Sequence, residues 1–138
     1  MSTVNEFRNS LPNNLDGENL NITKWSGTPR RSNNLLEINF KKNPTILYVK
    51  ESNSSPGFWG LTKNQLDRLN NFQIPWFIVL LLKSKDSGFL LSSKEVNTRI
   101  QDSTFELSKD GDYKVNEISD LNSNMSFRGI KNLLDCVL

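Results

Sequence analysis

Residues 35–51 read LLEINFKKNPTILYVKE, two stretches rich in β-forming residues on either side of Asn43-Pro44. Such runs flanking a turn dipeptide predict a β-hairpin. With the loop centred on that dipeptide, Glu37 faces Lys50 and Asn39 faces Tyr48, and the side-chain period of two puts all four on one face. Ile38, Phe40, Leu47 and Val49 take the other face and supply core.

The pattern extends in both directions. Thr3-Val-Asn-Glu6 reads as a capping box, with Val4, Phe7 and Leu11 at helical spacing, which predicts a helix over 3–11 ended by Pro12. Leu20, Ile22 and Trp25 suggest a short first strand, and residues 26–33, SGTPRRSN, a basic loop. After the hairpin, Phe58-Trp-Gly-Leu61 returns to the core. Thr62-Lys-Asn-Gln65 is a second capping box, opening a helix that buries Leu66, Leu69 and Phe72. The unbroken apolar run from Trp76 to Leu82 predicts a central strand covered on both faces. Asp86-Ser-Gly88 turns the chain into a strand at 89–91, and Ser92-Ser-Lys-Glu95 caps a short helix to Ile100. Alternation over 104–108 and 113–118 around Asp110-Gly111 predicts a second hairpin. From Ser126, helical spacing of Phe127, Ile130, Leu133, Leu134 and Val137 predicts a C-terminal amphipathic helix.

These elements predict an α/β (α+β) fold: a mixed β-sheet with an αβββαβ core over about 3–83, flanked by helices, plus a C-terminal hairpin and helix over about 84–138. At 138 residues, a single domain over 1–138 is expected.

Composition removes whole classes of chemistry. The chain has no histidine and one cysteine, Cys136. Ser-His-Asp and Cys-His catalysis, an internal disulfide and cysteine-based zinc sites are therefore excluded. Cys136 is expected to be a packing residue of the last helix. The start of the chain lacks the apolar core of a signal peptide, so a cytoplasmic location is expected. The net charge is only +2, but it is unevenly spread. Residues 24–50 carry Lys24, Arg30, Arg31, Lys41, Lys42 and Lys50 against Glu37 alone, whereas residues 101–120 lean acidic. A basic surface near the hairpin suits a polyanion.

The αβββαβ order, with Glu37 on the second strand and Lys50 on the third, resembles the PD-(D/E)XK superfamily of restriction-endonuclease-like nucleases. That resemblance implies Mg²⁺-dependent hydrolysis of a phosphodiester, with Glu37 as metal ligand and Lys50 polarising the attacking water. Tyr48 stands where the family's second carboxylate belongs. It would line the site, and its neutral phenol is a poor Mg²⁺ ligand. Glu51 points to the opposite face by alternation. Some members add an acid from the first helix, which Glu6 could supply, and some a glutamine on the second helix, matched by Gln65. Arg30 and Arg31 are candidate phosphate contacts, with Trp25 nearby as a stacking surface.

Two functions from different classes follow. One is a Mg²⁺-dependent endonuclease acting on nucleic acid, with DNA ahead of RNA. It would work as a homodimer joined through residues 133–138 or the second hairpin. The other is a non-catalytic binding module, in which Glu37 and Lys50 form an exposed cross-strand salt bridge worth at most about 1 kcal/mol. A further acid beside Glu37 distinguishes the two.

Overall fold

A computed structural model describes residues 2–14, 20–29, 32–41 and 43–138, so the expectations placed on Arg30, Arg31 and Lys42 lie outside the described residues. The chain is α+β and is built around a six-stranded mixed sheet in the order β1-β2-β3-β5-β6-β9. Its strands are β1 (Leu20–Lys24), β2 (Leu35–Phe40), β3 (Asn43–Glu51), β5 (Trp76–Leu81), β6 (Ser87–Ser92) and β9 (Ser126–Arg128). β3 and β5 pair in parallel, and every other pair is antiparallel. A second, three-stranded sheet is formed by β4 (Phe58–Thr62), β7 (Glu106–Leu107) and β8 (Asp112–Asn116), in the order β4-β8-β7.

The strand alternation divides the core into two layers. On one face of the large sheet, Leu36, Ile38, Leu47, Val49, Val79 and Leu81 pack against α1 (Thr3–Ser10) and α5 (Ile130–Val137). On the other, Leu35, Ile46, Tyr48, Ile78 and Leu80 pack against the small sheet, α2 (Lys63–Asn71) and α3 (Ser93–Gln101). β5 contributes alternate residues to both layers, as the unbroken apolar run predicts.

The β2–β3 hairpin forms in a different register from the expected one. Glu37 lies opposite Ile46 and Leu35 opposite Tyr48, so the chain reverses between Phe40 and Asn43, and Asn43-Pro44 belongs to β3. Lys41 takes the left-handed conformation this tight turn needs, with φ +50°. Pro44 is accommodated because its nitrogen points towards β5, whose pairing with β3 begins only at Ile46. A proline at a strand start forfeits no ladder bond there. The displacement is four residues, an even number, so the facing of every side chain is retained while the partners change.

Other local differences have simple causes. Ser2, not Thr3, caps α1 by accepting from the Asn5 N–H at 3.1 Å. Thr62 occupies the N-cap position of α2 but makes no side-chain cap bond, whereas Ser92 and Glu95 form a complete capping box on α3. Phe58–Thr62 is a strand and pairs with β8. Phe127 lies in β9, which extends the sheet beside β6, and Gly129 at φ +81° turns the chain into a shorter terminal helix. Cys136 is exposed on that helix. Leu133, Leu134 and Val137 are buried in the core. Among the described residues, no helix is long and apolar enough to cross a membrane.

Candidate functional site

Tyr48, Lys50 and Ser52 project from the same side of the end of β3, as alternation requires. Tyr48 is 3% exposed and Ser52 4%, while Lys50 is half-buried with its Nζ 5.9 Å from the Tyr48 ring centroid. β4 passes back over this side of the sheet. Its pairing with β8 settles which backbone groups face outwards. The Glu117 N–H donates to Gly57 O and the Lys63 N–H to Gly111 O, both at 3.0 Å, at the two ends of the ladder. Odd-numbered β4 residues are thus the hydrogen-bonded ones, and the N–H groups of Phe58, Gly60 and Thr62 point to the strand's free edge.

Two of those three donors meet the β3 side chains. The Phe58 N–H donates to Ser52 Oγ at 3.0 Å, and the Thr62 N–H donates to Tyr48 Oη at 3.3 Å. The Gly60 N–H points to the same free edge, between them.

The start of the 26–33 loop lies at the same end of the sheet, whereas Lys41 sits at the hairpin turn, at the opposite end of β3. Trp25 N–H donates to Leu35 O, which sets the start of the 26–33 loop beside the Tyr48 end of β3. Thr28, Pro29, Gln65 and Arg68 line a hollow of about 290 Å³ next to it. Arg68 donates to Gln65 Oε1 at 3.4 Å, and the Trp25 and Phe72 rings meet edge-on with centroids 5.2 Å apart. Phe72, expected on the buried face of its helix, is 44% exposed beyond that contact.

The expected acids are elsewhere. Glu37 lies four residues along the pairing from the level of Lys50, about 13 Å of extended strand. Its carboxylate accepts from Asn39 Nδ2 at 3.0 Å. Glu6 is exposed on α1, whose apolar side packs on the sheet face opposite to that of Glu37. Among the described residues, no three Asp, Glu, Cys or His side chains cluster to hold a metal ion. Mg²⁺ requires several hard oxygens around one point. Glu37, Glu6 and a phenol engaged by Thr62 do not fit that need.

The small sheet carries a cluster of paired charges. Asp110 accepts from Lys114 Nζ at 2.7 Å, from the Ser108 hydroxyl and from the Asp112 N–H, which together hold its carboxyl well below the usual carboxylate range. This cluster sits in the β7–β8 turn region, where Lys114 is shared by Asp110 and Asp112, and the stretch as a whole stays acidic. Compared with protein-family models, curated proteins and solved structures, the chain gives no significant match.

Proposed function

We propose that this protein is a nucleic-acid-binding module on a nuclease-like α/β core, gripping the sugar–phosphate backbone without cutting it. The observation that carries this reading is the hairpin register. It removes Glu37 from the level of Lys50, while Lys50, Arg68 and the loop leading into Arg30 and Arg31 stay at one end of the sheet. A site with cations and no gathered carboxylates attracts phosphate but has no means to bind the metal that would activate water. Tyr48 is spent as a buried hydrogen-bond acceptor, and Phe72 offers exposed aromatic surface beside the basic loop, whereas Trp25, expected as a stacking surface, is buried in the core under Phe72 and cannot stack a base.

The test is a fluorescence anisotropy titration of duplex and single-stranded DNA and of RNA across a salt series, beside a plasmid-cleavage assay in Mg²⁺ or Mn²⁺. Binding that weakens steeply with salt, without cleavage, is expected, and Lys50→Ala should lower the salt slope by about one. Cleavage abolished by both Glu37→Ala and Lys50→Ala would instead establish the endonuclease reading. Absence of binding at low salt for all three polymers would sink both. Sedimentation in the same buffers tests the expected homodimer.

A further inference from the structure

We propose that the hollow between the 26–29 segment and α2, with the Phe72 ring beside it, takes one nucleotide of an unpaired strand, its phosphate on Arg68 and its base on Phe72. This rests on the binding-module reading and names the form of nucleic acid that the module prefers. Gln65, Arg68 and Phe72 follow one another at intervals of three and four residues along α2 and its C-cap. They therefore share one side of the helix, bordering the buried Leu66 and Leu69, with neighbouring Cβ atoms about 5–6 Å apart. Thr28, Pro29, Gln65 and Arg68 line the hollow of about 290 Å³, and no carboxylate is among these lining residues. Asp67, the acid nearest to Arg68 in sequence, lies about 100° round the helix and is bonded to Lys63 Nζ at 2.7 Å. Arg68 is half-buried and donates to Gln65 Oε1 at 3.4 Å. Among the described residues, it takes part in no ion pair. A phosphate in the hollow offers this guanidinium both oxygens and a compensating charge.

Trp25 holds this arrangement together before a ligand arrives. Its indole is 2% exposed and meets the Phe72 ring edge-on, with centroids 5.2 Å apart. The Gly27 backbone lies against the same indole, where an added Cβ would come within 2.1 Å of Trp25 Cζ2. Loop and helix are thus fastened to one buried ring, the kind of preorganisation that favours binding. Phe72 nevertheless stays 44% exposed, and an edge-on contact occupies at most one face of its ring. A duplex keeps its bases stacked inside and can offer this place phosphate alone. An unpaired strand offers a phosphate and the face of a base together, which matches a cation set beside an exposed aromatic ring. Beyond Pro29 the sequence runs directly into Arg30 and Arg31, whose charge favours the same polyanion.

The experiment titrates the full chain into a labelled oligothymidylate and into a duplex of the same length across a salt series, with thymidine monophosphate as a separate ligand. The wild type is expected to bind the single strand more tightly than the duplex. Phe72→Leu should weaken single-strand binding about tenfold, leaving duplex affinity and the salt slope unchanged. Phe72→Trp keeps an aromatic face and should retain the binding. Arg68→Gln should weaken single-strand binding and lower its salt slope by about 0.7, the value for one phosphate of a single strand. The melting temperature of each variant checks that it folds. Wild-type affinity for the single strand in either Phe72→Leu or Arg68→Gln overturns the nucleotide site and retains the module. Equal losses in Phe72→Leu and Phe72→Trp overturn stacking, since the ring would then matter through its packing on Trp25. A duplex bound as tightly as the single strand, and weakened equally by Phe72→Leu, overturns the preference for an unpaired base. Thymidine monophosphate that binds while neither polymer does retains the site for the free nucleotide and removes the module. Binding of none of the three overturns both.

Discussion

The backbone N–H of Thr62 donates to the Tyr48 hydroxyl at 3.3 Å, joining the last residue of β4 to the open end of the central hairpin. This contact gives a buried phenol a partner and fixes the point where α2 begins. Tyr48→Phe keeps the ring in its core position and deletes only the acceptor. The loss of one such bond is expected to cost about 1 kcal/mol in urea denaturation with an unchanged m value. A neutral result would mean that water replaces the hydroxyl.

Ser52 anchors the other end of the same edge. Its hydroxyl, in a side chain only 4% exposed, accepts from the N–H groups of Phe58 at 3.0 Å and Ser54 at 3.3 Å. Ser52→Ala leaves both donors without that oxygen, and a loss of about 1–3 kcal/mol is expected. Hydrogen exchange should localise the change to the Phe58 amide. Uniform weakening across the protein would contradict a tether role.

Gly88 lies where β6 crosses close to β5. A Cβ there would come within 2.0 Å of the Leu80 carbonyl oxygen, a backbone atom that cannot swing aside. Gly88→Ala should therefore force the β5–β6 pairing apart, at a cost of about 3 kcal/mol. Thermal melting of the two proteins side by side checks this.

The Asp110 cluster gives the small sheet a pH dependence of known sign. The folded-state pKa of Asp110 is depressed, first by Lys114, then by Ser108 and the Asp112 N–H. Its stabilising contribution is present above the ordinary aspartate value of about 3.9 and is lost as pH falls through the depressed folded value. Lys114 is shifted upwards, chiefly by Asp110, so its contribution is present at neutral pH and is lost only as pH rises through its raised pKa. Asp110→Asn should flatten the acid limb of the stability profile below about pH 4. An unchanged acid limb would show that the exposed cluster is screened by solvent and contributes nothing.

Much of the fold was legible in the chain. The apolar run at 76–82 identified the central strand, and the period of two in 35–51 correctly assigned faces to Ile38, Leu47 and Val49, whereas Phe40, expected in the same core, is only half-buried. The face containing Tyr48 was read as polar because a sequence does not reveal what lies on top of a strand. Phe58–Thr62 looked like an aromatic return, since its partner β8 lies some fifty residues later and pairing at that separation leaves no local trace.

The candidate site was legible in its ingredients but not in its arrangement. Lys50, Gln65 and the arginine-bearing loop were all singled out from residue type and spacing. The β4 N–H groups that meet Tyr48 and Ser52 were not, because a backbone N–H has no signature in a sequence, and they reach those side chains only once β4 is laid along β3.

By itself, the sequence determined the α+β class, the faces of the central strands and the absence of histidine chemistry. These depend on periodicity and composition, which are local quantities. Tertiary structure decided the hairpin register, and with it the separation of Glu37 from Lys50. Asn43-Pro44 is a stronger turn signal than two lysines, yet Pro44 loses nothing at a strand start with no partner on its nitrogen side. Register responds to the packing of every paired residue at once, and a four-residue slip leaves each side chain on its own face. Alternation alone could not detect it.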